Sequence, residues 1–199
     1  MVKLFNPEFL TQIINNNVYV KNSFSNKKKD FNSLSYLIKK DISQSDCIKL
    51  GNGVERVIQD IISECSLFEN IKTSFTKKGD KEKDHLFKDT TNKVIYYAEL
   101  KSNINLDTEK SKSTYLKCQF IFDELKEAYP DYEIKWCLLA YRYINKVEIP
   151  KSVANKYSKI SSNLFGINEY LEMLGIEMRF DENSYVKFLN DVSDAMFEN

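Results

Sequence analysis

A predicted β-hairpin constrains the fold of this chain more than any other stretch of its sequence. Its second strand, Lys93 to Lys101, is rich in β-branched and aromatic residues, and Asp84-His-Leu-Phe87 is a shorter strand candidate just before it. The residues between them, Lys88-Asp-Thr-Thr-Asn92, have the polar chemistry of a turn. The pattern therefore predicts two antiparallel strands joined by a short loop.

Antiparallel pairing brings charged side chains to one end of this hairpin. A turn centred near the two threonines places Asp84 opposite Tyr97 or, one pleat further along, opposite Glu99. Cross-strand and diagonal neighbours lie about 5 to 8 Å apart, so the two carboxylates are expected within that range. Side chains alternate along a strand, so Glu99 and Lys101 share a face. Two acids and one ammonium group are predicted to converge.

This convergence favours a divalent cation. Neighbouring carboxylates repel each other and raise each other's pKa unless something compensates. Carboxylate oxygens are hard ligands suited to Mg²⁺, which takes one or two of them and completes its octahedron with water and substrate phosphate. A lysine beside such an ion can orient or help to deprotonate a bound water. The constellation suits hydrolysis of a phosphodiester.

These residues resemble the motif of the PD-(D/E)xK nuclease superfamily. Asp84 is followed after fourteen residues by Glu99-Leu-Lys101, with an acidic helix upstream and a helix and strand downstream. Within that superfamily the chain looks most like a small type II restriction endonuclease, and the resemblance covers roughly Gly51 to Tyr143. The segment from Glu99 to Thr114 is similar to the strand-to-helix junction of those enzymes. The residue before the aspartate is Lys83 rather than proline, which departs from the motif by one letter.

The resemblance implies a role for each residue of the motif. Asp84 and Glu99, with the carbonyl group of Leu100, would hold Mg²⁺, and Lys101 would position the attacking water. Glu55, on the helix before the hairpin, would be a third acid, although a glutamate in a first helical turn is also favoured by the helix dipole alone. Water would displace the 3′ oxygen and leave a 5′ phosphate.

The same resemblance implies the partners. The expected substrate is double-stranded DNA with a short palindromic site, read by a homodimer whose symmetry matches that of the site. A cognate DNA methyltransferase is expected in the same system. Alternatives are a junction-resolving or repair nuclease of the same superfamily, or a non-catalytic DNA-binding module. The hairpin is also open to interpretation as a charged surface element, and Asp80 or Asp89 as the first acid.

Several polar residues near the predicted site are candidates for contacts with DNA. Lysines before Asp84 flank the site, although nearby acids nearly cancel them. Amide donors, hydroxyls and lysines at a helix start form a phosphate- or base-contacting surface, with ordinary capping and solvated lysines as the alternative. The candidates are Lys77, Lys78, Lys81, Ser102, Asn103, Asn105, Lys110, Lys112, Ser113 and Thr114.

Composition sets limits on the function. The chain has 29 basic and 29 acidic residues and a formal net charge of zero, so a phosphate-binding surface must be local. Four scattered cysteines and a single histidine, His85, make a zinc site improbable. No segment approaches the roughly 20 apolar residues of a membrane span. We expect a cytoplasmic protein without a membrane partner.

The remaining pattern predicts an α/β fold, with a mixed central β-sheet flanked by helices as in restriction endonucleases and with extra terminal helices. Residues 1 to 199 are expected to form a single domain with a catalytic core at about 51 to 144. The predicted helices are 8–14, 31–40, 51–67, 108–129, 162–174 and 183–197, and the further predicted strands are 71–76, 133–144 and 176–180.

Overall fold

The computed structural model describes residues 22–23, 34–38, 43–64, 68–72, 81–106 and 108–198. The chain divides into two compact units, one formed by Met1–Glu64 with Met178–Asn199 and the other by Cys65–Glu177. The interpretation of the whole chain as one domain stays a prediction.

The described elements are strands, α-helices and two 3₁₀ segments. The strands are β1 (Asn22–Ser23), β2 (Glu69–Asn70), β3 (His85–Asp89), β4 (Val94–Leu100), β5 (Glu133–Leu139), β6 (Leu164–Phe165) and β7 (Phe197–Glu198). The α-helices are α1 (Leu34–Ile38), α2 (Gln44–Glu64), α3 (Thr108–Ala128), α4 (Lys151–Ala154), α5 (Ile167–Met173) and α6 (Glu182–Met196), and Lys146–Glu148 and Asn155–Asn163 are 3₁₀ segments.

In the first unit, α2 is longer than the sequence predicts. It begins at Gln44 because the Ser43 hydroxyl accepts a hydrogen bond from the backbone N–H of Asp46 (3.1 Å), which caps the helix there. The predicted apolar stripe from Val54 to Ile62 is buried. Gly53 lies within the helix, where α6 packs so closely that an added Cβ would clash with the Met196 side chain. Close packing thus explains why a glycine stands at this position of the helix.

The second unit contains a mixed sheet of five strands in the order β2-β3-β4-β5-β6. The pairs β2–β3 and β3–β4 are antiparallel, whereas β4–β5 and β5–β6 are parallel. Helix α3 forms the crossover that the parallel pair β4–β5 requires. The general prediction of an α/β fold with a mixed sheet is confirmed.

The core of this unit forms where α3 covers the sheet. Leu86 of β3 and Tyr97 of β4 pack against Cys118, Ile121 and Leu125 of α3, and all five side chains are buried. Helix α3 ends where predicted, one residue before Tyr129, and Pro130 follows. Burial of this stripe fixes the helix across the strand that carries Glu99.

Other predicted elements also differ from the observed ones. The predicted strand at 176–180 is wrong because the N–H of Ile176 donates to the Leu171 carbonyl (2.9 Å), which closes α5 with a Schellman motif at Gly175. Strand β5 stops at Leu139, since the chain turns at Ala140. The helix predicted from residue 162 begins at Ile167. The predicted strand at 71–76 lies mostly outside the described residues, and the described strand β2 ends at Asn70. Within the described ranges, no helix has the length and apolar content that crossing a bilayer requires.

Candidate active site

The hairpin places Asp84 opposite Glu99. The observed register pairs Leu86 with Tyr97 and His85 with Ala98, so Asp84, the residue just before β3, continues the ladder toward Glu99. The sequence allows Asp84 to lie opposite either Tyr97 or Glu99, and the structure has the register with Glu99. Both carboxylates and Lys101 lie at the end of the hairpin away from its turn.

The turn itself excludes Asp89 from the site. Asp89 pairs with Val94 at the other end of the hairpin, and its Oδ1 accepts hydrogen bonds from the backbone N–H groups of Thr91 and Asn92 (2.9 Å each). Lys93 adopts a positive φ of 53° to close the loop. Asp89 is therefore a turn residue, and Asp80, the other alternative, lies outside the described residues.

Glu99 is buried and holds two ammonium groups. Its residue exposure is 1%, and Lys101 Nζ donates to its Oε1 at 2.8 Å. Lys117 Nζ, from α3, forms an ion pair with Oε2 at 2.6 Å. The Tyr97 hydroxyl also donates to Oε2, at 3.2 Å. Each carboxylate oxygen of Glu99 therefore has a cationic partner, which compensates for the loss of water around a buried charge.

Asp84 is held by the backbone of the neighbouring strand. The Leu100 N–H donates to its Oδ2 at 2.6 Å, and in the part of the chain that the structure describes this is its one hydrogen bond. Burial, and then the negative charge of Glu99, raise the pKa of Asp84 above its ordinary value. The Leu100 N–H, Lys101 and Lys117 act in the opposite direction without cancelling the rise. Additional positive charge beside Asp84 would thus be favourable.

Lys101 is a firmly protonated cation in this arrangement. Burial acts to lower its pKa, but the charge of Glu99, the hydrogen bond to Glu99 and the charge of Asp84 outweigh burial and raise the pKa. Its backbone N–H donates to the Leu139 carbonyl (2.9 Å), which fixes the residue at the end of the sheet. Lys101 is therefore suited to donate hydrogen bonds rather than to accept a proton.

Lys117 is a site residue that the sequence analysis did not identify. The signal was present, because Lys117 lies two helical turns after Lys110 and so shares its face of α3. It also directly precedes Cys118 of the buried stripe, which places it at the border of the core. Only the packing of α3 on β4 shows that the ammonium group reaches Glu99.

The segment that carries Asp84 is anchored to the same helix. Lys83 is fully buried, and its Nζ forms an ion pair with Glu124 Oε2 at 3.4 Å. Lys81 Nζ lies 4.3 Å from the centre of the Phe120 ring. These two contacts fix the chain before Asp84 against α3, in the position where proline stands in the motif that the sequence resembles.

His85 faces away from the two carboxylates. Adjacent residues of a strand point to opposite faces, and His85 directly follows Asp84. It is buried, and its Nδ1 lies 2.9 Å from the Tyr170 hydroxyl, within hydrogen-bonding distance. The arrangement is that of a packed core histidine.

The candidate DNA contacts have different environments. Lys81, Asn105, Lys110, Lys112 and Ser113 are exposed, and Ser102 and Asn103 are partly exposed. Thr114 is buried instead, and its hydroxyl donates to the Lys110 carbonyl at 2.9 Å within the helix, which favours a structural role. Lys77 and Lys78 lie outside the described residues.

A lysine beyond the predicted set adds to this surface. Lys156 Nζ donates to Asn105 Oδ1 at 3.0 Å and to the Leu106 carbonyl at 2.6 Å, which attaches the 3₁₀ segment to the loop after β4. This contact was not predictable from the sequence, because the two segments are about 50 residues apart. Positive charge is thus present on both sides of the loop that follows Lys101.

The donor set fits a hard divalent cation bound through two carboxylates. Among the described residues no group of three or more histidine, cysteine, aspartate or glutamate side chains is placed to hold a metal ion. The pair Asp84 and Glu99 meets the smaller requirement of Mg²⁺, which commonly uses one or two carboxylates. Glu55 lies partly buried on α2 in the other unit, and its participation as a third acid stays a prediction.

The chain matches no family model, no curated protein and no solved structure. The resemblance to PD-(D/E)xK nucleases stays a prediction that depends on Asp84, Glu99 and Lys101.

Proposed function

We propose that this protein is a Mg²⁺-dependent endonuclease with a restriction-endonuclease-like fold. We further propose that it is a type II restriction enzyme. The observation that carries the proposal is the position of Asp84 opposite Glu99, with the ammonium group of Lys101 2.8 Å from Glu99 Oε1. Two carboxylates and a lysine at the end of a β-hairpin are the groups that metal-assisted phosphodiester hydrolysis needs.

Each residue of the site has a distinct task in this proposal. Asp84 and Glu99 would hold the metal ion, with the Leu100 carbonyl as a further ligand. A bound Mg²⁺ supplies Lewis-acid polarisation of the phosphate and lowers the pKa of its water. The Leu100 N–H keeps the Asp84 carboxylate in place through its 2.6 Å hydrogen bond to Oδ2, and Oδ1 would be the oxygen that binds the metal ion.

Lys101 would position the attacking water and stabilise negative charge on the phosphate. Its raised pKa keeps the ammonium group protonated at neutral pH, so it acts as a donor. Its place on the strand end is fixed by the backbone hydrogen bond to Leu139. A pre-positioned donor of this kind needs no reorganisation when charge develops in the transition state.

The DNA backbone would run along the exposed start of α3. Lys110, Lys112 and Ser113 are exposed there, and the helix also carries Lys117 into the site. Lysines and hydroxyls at a helix start are common phosphate contacts. Duplex DNA as substrate, a homodimer on a palindromic site and a cognate methyltransferase are parts of the same proposal.

Digestion of unmethylated, phage-length linear DNA tests the proposal. Purified protein is incubated with Mg²⁺ or with EDTA beside an Asp84→Ala variant, and Asp123→Asn, which changes an exposed acid of α3, is the matched control. Discrete fragments that require both Mg²⁺ and Asp84 are expected, with the control active. DNA that stays intact across metals, salts and varied sequences contradicts the proposal.

A non-catalytic DNA-binding module is the second candidate, since each oxygen of Glu99 has a lysine partner that compensates its charge within the protein. Such a module would bind DNA equally well in EDTA, and Lys101→Ala would change little. Preferential cleavage of branched DNA would instead identify a junction-resolving or repair nuclease.

A further inference from the structure

The contact between Lys117 and Glu99 occupies an oxygen that the proposed metal ion needs. The ammonium group of Lys117 lies 2.6 Å from Glu99 Oε2, closer than Lys101 lies to Oε1. The two lysines balance the charges of Asp84 and Glu99, so the site is neutral before any divalent cation binds. A divalent cation that binds Glu99 meets two ammonium groups within 2.8 Å of the carboxylate oxygens, and repulsion between like charges favours the departure of one lysine.

Lys117 is the lysine that is better placed to leave. Lys101 is held at the sheet end by the backbone hydrogen bond to Leu139 and belongs to the strand itself. Both lysine side chains are partly exposed, Lys101 at 34% and Lys117 at 23%, so exposure does not choose between them. The proposed function requires Lys101 beside the attacking water, whereas Lys117, which reaches Glu99 from α3, has no other task at the site. A long, partly exposed lysine side chain can move its ammonium group toward solvent without repacking the core.

Glu99 Oε2 would keep one hydrogen-bond partner after Lys117 leaves. The hydroxyl of Tyr97, which is fully buried, also donates to Glu99 Oε2 at 3.2 Å. Glu99 thus stays oriented by Tyr97 and Lys101 when Lys117 moves. The freed ammonium group remains tethered to α3 one turn beyond Ser113, on the exposed helix start that the proposed DNA backbone follows.

We propose that Lys117 is a displaceable counter-cation of Glu99, which holds Oε2 until a divalent cation takes it and then contacts the phosphate of the substrate. The inference rests on the proposed function, because it needs a metal ion and a phosphodiester at the same site. Lys117 thus has two alternating partners, Glu99 and the substrate phosphate, and metal binding moves it from the first to the second.

Metal affinity in the absence of DNA tests the first half. Mg²⁺ binding is measured by isothermal titration calorimetry for the wild type, Lys117→Met and Lys117→Gln, with Lys126→Met, an exposed lysine at the far end of α3, as the matched control. Both neutral variants are expected to bind Mg²⁺ at least about fivefold more tightly, the lower end of typical coupling between two sites. Thermal melts confirm that each variant is folded.

The direction in which Mg²⁺ affinity changes shows whether Lys117 is displaced by the metal ion or orients Glu99 for it. A lysine that merely orients Glu99 for the metal would make Lys117→Met bind more weakly, by about 10- to 100-fold as for other groups behind a metal ligand. Unchanged or weakened affinity in both variants overturns the inference while the proposed function stands. If neither the wild type nor the variants bind Mg²⁺, the proposed function itself fails.

DNA affinity tests the second half. Binding of a fluorescent mixed-sequence duplex is measured with EDTA and with Ca²⁺, and a gel confirms that the duplex stays intact. Lys117→Met is expected to bind like the wild type in EDTA, where Lys117 is engaged by Glu99, and at least about fivefold more weakly in Ca²⁺. If Lys117→Met loses the same DNA affinity in EDTA and in Ca²⁺, or loses none in either, the proposed exchange of partners is wrong.

Discussion

The buried ion pair between Lys83 and Glu124 allows a prediction in which two substitutions act in opposite directions. Lys83 is fully buried, its Nζ lies 3.4 Å from Glu124 Oε2, and the Glu124 side chain is 33% exposed. Glu124→Gln removes the charge of this carboxylate, while the Lys81 carbonyl still accepts a hydrogen bond from Lys83 Nζ at 3.4 Å. Lys83→Met keeps the packing of the side chain, removes the buried charge and leaves Glu124 with access to water.

The burial of the two partners sets the size of each effect. Removing one member of a fully buried pair costs about 3–5 kcal/mol, and the partial exposure of Glu124 reduces the expected cost of Glu124→Gln to about 1–3 kcal/mol. Lys83→Met is expected to be neutral or to stabilise by up to about 2 kcal/mol, because an apolar side chain avoids the desolvation of an ammonium group.

Urea denaturation of the wild type, both variants and the double variant measures these differences, with Asp123→Asn on the same helix as the matched control. The double variant is expected to recover most of what Glu124→Gln loses, since the partners act as one unit. Because the pair fixes the chain before Asp84, Glu124→Gln should also lower DNA cleavage. A Lys83→Met variant that loses more stability than Glu124→Gln refutes the reasoning.

Three further predictions concern charge and hydrogen bonding. In EDTA, Asp84→Asn should raise stability at pH 7 by about 0.5–2 kcal/mol while abolishing cleavage, as relief at a functional site commonly does. Burial and the charge of Glu99 raise the pKa of Asp84, so the folded state binds the proton more tightly than the unfolded chain does. The difference in stability between wild type and variant should therefore vanish below about pH 3.8, grow as the pH rises from there to the raised pKa of the folded state, and stay constant above it. Tyr170→Phe removes the hydroxyl beside His85 and should cost about 1–2 kcal/mol in urea denaturation with cleavage unchanged, whereas lost cleavage would argue that His85 takes part in the site. Lys112→Ala should reduce the salt dependence of DNA binding by about one unit of slope, and an unchanged slope would remove Lys112 from the interface.

The hairpin was predictable because its information is local. The strand composition of Lys93 to Lys101 and the turn before it identify two paired strands, and alternation limits Asp84 to two registers. The stripe of α3 and Pro130 likewise locate that helix. The predicted strand at 176–180 failed for a local reason that composition hides, since the Ile176 N–H closes a helix instead of joining a ladder.

The rest of the site depends on contacts between segments that are distant in sequence. Lys117 meets Glu99, and Glu124 meets Lys83, only because α3 packs across the strand that carries the acid. Sequence periodicity places a lysine on a helix face but does not say which carboxylate that face covers. Packing of the sheet against α3 therefore decides the charge balance around Glu99.

Single-turnover cleavage by Lys101→Met tests the central claim most directly. Rates on duplex DNA are measured with Mg²⁺ for the wild type, Lys101→Met and the control Lys126→Met, beside their DNA affinities in Ca²⁺. The account predicts that Lys101→Met cleaves at least about 100-fold more slowly, the lower range for a positioned catalytic group, with similar DNA affinity and a fully active control. A Lys101→Met variant that cleaves at the wild-type rate, or a wild type that cleaves equally well in EDTA, would contradict it.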